Sequence, residues 1–255
     1  MNISVIGTGY VGLVTGAIFA EKGSTVTCVD IDEKKIEKLR QNIIPIYEPG
    51  LQELVEKNQS AGRLLFSTST AEAIQSCQVI FIAVGTPSDV DGRADLQFVK
   101  QVARDIGTNM KDYKVVVNKS TVPVGTGNMV ESIIREHFQG DFDVVSNPEF
   151  LREGTAINDC LNPDRVVIGN AAERAKKVME ELYESFNCPI LFTDVKSAEM
   201  IKYASNAMLA TQISFINSVA NICDRVGADV TKVAEGMRLD GRIGHRAFLD
   251  AGCGY

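Results

Sequence analysis

Residues 2–13 read NISVIGTGYVGL: an apolar run that breaks at glycine and resumes as a second apolar run, with Gly7, Gly9 and Gly12 spaced as G-x-G-x-x-G. The β-branched residues before Gly7 predict a strand over 2–7, and residues 11–23, with apolar side chains three or four apart, predict a helix. A second strand is expected over 25–30, ending in Asp30. Glycine-rich turns are common, so the pattern alone says little. Between a strand and a helix, with an acid closing the next strand, it has its full structural context.

Working outward, strands are expected at 79–84, 114–119, 142–146, 165–169 and 188–193. Helices are expected at 32–42, 49–59 and 172–186. Continuous apolar strands alternating with helices predict an α/β chain, a doubly wound Rossmann-like parallel sheet covered on both faces. From Asp194 to Val226 there is neither proline nor glycine, and Gly227 supplies a stop, so one long central helix is expected there, a spine between domains or subunits. This divides the chain into 1–193, a dinucleotide-binding domain, and 194–255, the long helix and the start of a substrate or dimerisation region.

In such a sheet the glycine turn lets the backbone approach a pyrophosphate, whose charge rests on free N–H groups at a helix start. Gly7, Gly9, Tyr10, Val11 and Gly12 are therefore candidate cofactor residues. A carboxylate at Asp30 accepts ribose hydroxyls and repels a 2′-phosphate, which favours NAD over NADP. Lys35, one turn into the next helix, either covers the adenosine side or is a solvated surface lysine. Thr86 and Thr121 stand in loops that follow strands, at the edge where doubly wound sheets bind ligands; each loop can equally be a plain turn.

Glu149, Arg152 and Glu153 cluster after a strand. Lys202 and Asn206, spaced i to i+4 on the long helix, share one face among apolar neighbours, and both are expected to face a packed cleft. A desolvated ammonium beside a carboxamide suits hydride transfer, because negative charge grows on oxygen as hydride leaves an alcohol carbon.

Composition narrows the classes. The 26 basic against 33 acidic residues, a net charge of −7, argue against nucleic-acid or anionic-membrane binding. No basic leader precedes the first strand and no apolar run is long enough to span a bilayer, so a cytoplasmic protein is expected. The six cysteines are scattered, without C-x-x-C pairs or close histidines, which indicates neither a metal site nor a disulfide framework.

Nine segments together resemble the UDP-glucose 6-dehydrogenases of the nucleotide-sugar dehydrogenase family: VIGTGYVGL, VDID, YEPGL, VGTPS, KSTVPVGT, NPEFLREGTAI, NPDRVVIG, EMIKYASN and RIGHRAFLDAG. The likeness runs through essentially the whole chain. It implies oxidation of the primary alcohol of UDP-glucose to the carboxylate of UDP-glucuronate, with two NAD+. By the same resemblance, Val11, Asp30, Lys35, Thr86, Thr121 and Glu153 hold the cofactor. Glu149, Phe150, Leu151, Arg152, Glu153, Lys202, Asn206 and Arg242 contact the nucleotide sugar, with the backbone of Phe248, Leu249, Asp250, Ala251 and Gly252. Lys202 and Asn206 polarise the reacting oxygen, Glu149 and Thr121 place a water, the long helix forms a homodimer, and Arg242 reaches the partner's site.

The family also needs a thiol to hold the aldehyde for a second oxidation. That thiol stands in G-G-S-C-F-P-K-D, directly after G-x-G-Y. The chain's own G-C-G-Y ends at Tyr255, so the resemblance makes Cys253 a bystander. It places the nucleophile, and a second nucleotide-binding domain, outside these 255 residues. Rival readings are a GDP-mannose or UDP-N-acetylhexosamine dehydrogenase, a single-step hydroxyacid-type dehydrogenase with a Lys–Asn pair, and a non-catalytic NAD-binding module.

Overall fold

The computed structural model describes residues 1–170 and 172–253. In chain order the elements are β1 (Asn2–Ile6), α1 (Tyr10–Glu21), β2 (Thr25–Val29), α2 (Glu33–Arg40), α3 (Leu51–Ser60), β3 (Leu64–Ser67), α4 (Thr70–Ser76) and β4 (Val79–Ile82). Then come α5 (Gln97–Asn109), β5 (Lys114–Asn118), α6 (Thr126–His137), β6 (Phe142–Ser146), α7 (Ala156–Leu161), β7 (Val166–Gly169), α8 (Glu173–Tyr183), β8 (Ile190–Thr193), α9 (Val195–Val226) and α10 (Val230–Arg238).

The eight strands form one sheet in the order β3-β2-β1-β4-β5-β6-β7-β8. Its first six strands are parallel, as expected. Successive residues of the central strands feed opposite layers, because strand side chains alternate. Phe81, Val115 and Val117 pack with Leu13 and Ala17 of α1. Ile80, Ile82 and Val116 pack with Ile106 of α5 and Ile134 of α6. With both faces covered, these strands have no polar side, which is why they read as unbroken apolar runs. Each fully buried large side chain contributes about 1.5–3 kcal/mol of transfer free energy.

One part of the sheet departs from the expected parallel arrangement. β7 meets β6 antiparallel, at the single pair Ser146↔Gly169, and then pairs parallel with β8. A parallel return needs a crossover that spans the strand length. Between β6 and β7 the only helix is six-residue α7, about 9 Å long at 1.5 Å per residue. Two asparagines lace this join: Asn147 Nδ2 donates to Val167 O at 2.8 Å and Asn170 Nδ2 to Val144 O at 2.6 Å.

The long helix is observed at Val195–Val226. Asp194 caps it, its carboxylate accepting the Ser197 N–H at 2.9 Å, and Gly227 turns the chain at φ +72°. Glu199 on its second turn is buried, and its two oxygens accept the N–H groups of Gly125 (2.6 Å) and Gly127 (2.8 Å). A carboxylate thus satisfies open donors at the start of α6, where the helix dipole favours negative charge.

The chain divides into two compact units, 1–200 and 201 onward. In the second, Ile216 of α9, Ala234 of α10 and Leu249 form a small core. Gln212 and Asn217 hold the segment that follows: Phe248 N–H donates to Gln212 Oε1 at 2.9 Å, and Gly252 N–H to Asn217 Oδ1 at 2.8 Å. Asn217 Nδ2 returns a bond to Gly252 O at 2.8 Å.

Candidate functional site

The sheet order reverses between β1 and β4, each of which leads into a loop at its carboxyl end. Doubly wound sheets bind ligands at such a point. Gly7 leaves β1 at φ +105°, and a Cβ there would lie 2.5 Å from Ala83 O just after β4. A Cβ on Gly12 would collide with Gly7 O itself, so α1 packs against the turn only because residue 12 has no side chain. Over Gly9 there is open space: a Cβ at that position would meet nothing within 4 Å. No side chain caps α1, which starts at Tyr10 from an extended Gly9. A closely approachable backbone, open space and uncapped helix donors fit a pyrophosphate.

Asp30, at the end of β2, is fastened to this turn. Its Oδ2 accepts the Thr8 N–H (3.0 Å), the Thr8 hydroxyl (2.6 Å) and Lys35 Nζ (2.9 Å), while Oδ1 accepts the Asp32 N–H at 3.2 Å. Burial alone would raise the Asp30 carboxyl, but the bonds from Thr8 and Lys35 outweigh it and bring the group down to about 2. The carboxylate is therefore charged, with Oδ1 keeping capacity for further donors. Lys35 is tied to Asp30 rather than left in solvent.

Around the crevice, Thr86 Oγ1 donates to Thr121 O at 2.8 Å, which joins the two expected cofactor loops. In the loop after β6, Glu149 Oε2 accepts the Leu151 N–H at 2.7 Å. The Phe150 ring lies under the Arg165 guanidinium, 3.9 Å from its centroid. Arg152 forks onto Asp159 through Nε (3.0 Å) and Nη2 (2.6 Å), so its charge is spent on α7, while Glu153 is exposed.

In the second unit, Lys202 is only 7% exposed, whereas Asn206, one turn on, is exposed. The expectation that both side chains are packed thus needs correction: Lys202 is buried and Asn206 is not. Many apolar side chains of α9 are likewise open, among them Met208, Phe215 and Ile222. Arg242, 90% exposed, forks onto its own neighbour Asp240. The Leu249 side chain belongs to the local core, while Phe248, Asp250, Ala251 and Gly252 are exposed.

Three buried polar groups had no assigned role in the sequence. Glu48, within YEPGL, accepts the Tyr10 hydroxyl (2.5 Å) and the Gly154 N–H (2.8 Å) on one oxygen. Glu199 caps α6, as described. Asn147 Oδ1 accepts Lys119 Nζ (3.1 Å) and the Tyr183 hydroxyl (2.5 Å). Their partners are distant in sequence; the only local signal was a polar residue within an otherwise apolar or turn-forming run. Among the described residues no group of three His, Cys, Asp or Glu side chains could hold a metal ion, and no helix is long and apolar enough to cross a membrane.

A glycine turn at the reversal of a mainly parallel sheet, closed by an acid on the second strand, defines a dinucleotide-binding Rossmann domain. Residues 1–187 match the NAD binding domain of the UDP-glucose/GDP-mannose dehydrogenase family, and residues 196–255 match that family's central domain. The chain belongs to this family. It is 58% identical over its whole length to the UDP-glucose 6-dehydrogenase TuaD of Bacillus subtilis, of which it spans 55%. A solved UDP-glucose dehydrogenase from Pyrobaculum islandicum superposes with TM-score 0.93 at 43% identity, over 96% of this chain and 58% of that one. GDP-mannose dehydrogenase from Pseudomonas aeruginosa gives TM-score 0.92 at 37% identity, over 98% of this chain and 58% of that one.

Proposed function

We propose that this chain supplies the NAD-binding domain and part of the substrate machinery of a UDP-glucose 6-dehydrogenase, which oxidises the sugar's primary alcohol to UDP-glucuronate. The observation that carries this reading is the 58% identity, over the entire chain, with a protein named for that activity; the GDP-mannose structure stands at 37%. NAD+, held by the residues named below, would supply the acceptor for the hydride that leaves the alcohol carbon.

The chain's own residues then have defined tasks. The glycine turn holds the pyrophosphate on backbone N–H groups, and Asp30 accepts ribose hydroxyls and disfavours a 2′-phosphate. Thr86, Thr121, Lys35 and Glu153 complete the cofactor contacts. Lys202 offers an ammonium to the oxygen as it becomes an alkoxide, and Asn206 offers an amide N–H to the same oxygen. Glu149 and Thr121 orient the water that, after the second hydride has left, releases the acid by hydrolysis. Glu149 to Glu153, Arg242 and the backbone of Phe248 to Gly252 grip the nucleotide sugar. The open apolar side chains of α9 support a homodimer through that helix, and the protein works in the cytoplasm.

The test is stoichiometry with the product of the whole gene. Two NADH per UDP-glucose, with GDP-mannose and UDP-N-acetylmannosamine turned over far more slowly, is the expected result. One NADH per substrate, or preference for another nucleotide sugar, overturns the reading.

A further inference from the structure

Glu48 is 5% exposed, yet its carboxyl group is only half satisfied: Oε2 accepts two hydrogen bonds, while Oε1 is buried without a partner. Burying an acid this way costs free energy, and an apolar side chain of similar volume would commonly be as stable or more so. What Glu48 provides is a junction. Its Oε2 gathers the Tyr10 phenol, 38 residues away, and the Gly154 amide, 106 residues away. Tyr10 is the first residue of α1, at the mouth of the glycine turn. Gly154 turns the chain at φ +86° directly after Glu153.

We propose that Glu48 is a positioning residue for the cofactor, locking the start of α1 to the loop that carries Glu149 and Glu153 through the Tyr10 phenol and the Gly154 amide. The inference rests on the reading of the glycine turn as the NAD site. Burial first, and then the bond and charge of Glu48, raise the Tyr10 phenol, so it stays a neutral donor across the physiological range; the charge of Glu153 adds to the same effect. A junction of this kind orders both walls before a ligand arrives, and preorganisation shows as affinity.

The experiment is calorimetric titration of this chain with NAD+, comparing wild type, Glu48→Ala, Glu48→Gln, Tyr10→Phe and the Glu48→Ala/Tyr10→Phe double variant. Losing the junction weakens NAD+ by about tenfold. Glu48→Gln, whose amide oxygen accepts the same two donors, recovers most of that. The double variant binds no more weakly than Glu48→Ala, because both changes break one network. Amide exchange at Gly154 also quickens in Glu48→Ala. NAD+ affinity unchanged in folded Glu48→Ala, or losses that multiply in the double variant, overturns the proposal. Where Glu48→Ala does not fold, Tyr10→Phe decides: weaker NAD+ at an unchanged melting temperature supports the junction, and unchanged affinity overturns it. A wild-type chain that binds no NAD+ removes the cofactor reading itself, and this inference with it.

Discussion

Lys35 Nζ lies 2.9 Å from Asp30 Oδ2, the oxygen that also takes both donors of Thr8. The acid that ends β2 is thereby fixed to the residue between the first two glycines, and its orientation comes from the turn it serves. One oxygen is committed to holding the side chain in place, and the other keeps acceptor capacity.

If Asp30 accepts the ribose hydroxyls as proposed, Asp30→Ser removes that acceptor together with the charge that opposes a 2′-phosphate. NAD+ affinity is expected to fall by about tenfold and NADP+ affinity to rise, reversing or erasing the preference. Titration of each dinucleotide into wild type and Asp30→Ser checks this; an unchanged ratio of the two affinities counts against the ribose role.

The same carboxylate has a pH signature. Its folded value, about 2, lies below the unfolded value of about 3.9. The stability it contributes is thus complete above the unfolded value and is lost as pH falls through the folded one. The melting-temperature gap between wild type and Asp30→Asn should be constant from about pH 7 to 5 and close between about pH 4 and 2. A gap that persists at the acid end rules the linkage out.

Glu199 carries a larger structural load than its place on a long helix suggests. Glu199→Ala strips the half-buried Gly125 amide and the buried Gly127 amide of their acceptor. The cost is expected to be about 2–4 kcal/mol, one to two hydrogen bonds' worth with a charged acceptor and desolvated donors. Urea unfolding measures it, and a cost below about 0.5 kcal/mol would place the cap among surface contacts.

For Lys202, a catalytic ammonium predicts that Lys202→Ala in the product of the whole gene lowers kcat/KM for the nucleotide sugar by about 10²–10³. NAD+ affinity should stay within about twofold, since no part of the glycine turn is altered. Wild-type kcat/KM in this variant excludes the oxyanion role.

Much of the architecture was written in local pattern. The strands lie within one or two residues of where the apolar runs place them, and the long helix begins one residue after Asp194. β3 escaped because Leu64–Ser67 is four residues long with Leu65 exposed, too short for an alternation to register. The sense of β7 was also hidden, because strand composition is the same in either direction. The glycine turn and the place of Asp30 beside it were legible because their spacing is itself the geometry. Glu48 and Glu199 were not, since each is defined by partners at least 38 residues away. Asn206 shared a predicted face with Lys202, but helical spacing reports direction along a helix and says nothing of what covers it.

The antiparallel join between β6 and β7 gives the sheet two textures. Six strands are woven rung by rung through the main chain, and the glycine turn at the end of β1 lies within that cloth. The terminal pair is hemmed on by one rung and two asparagine threads, Asn147 and Asn170. What binds that edge to the rest is therefore side-chain packing: Val166 and Ile168 of β7 sit in the same apolar layer as Leu13 and Phe19 of α1.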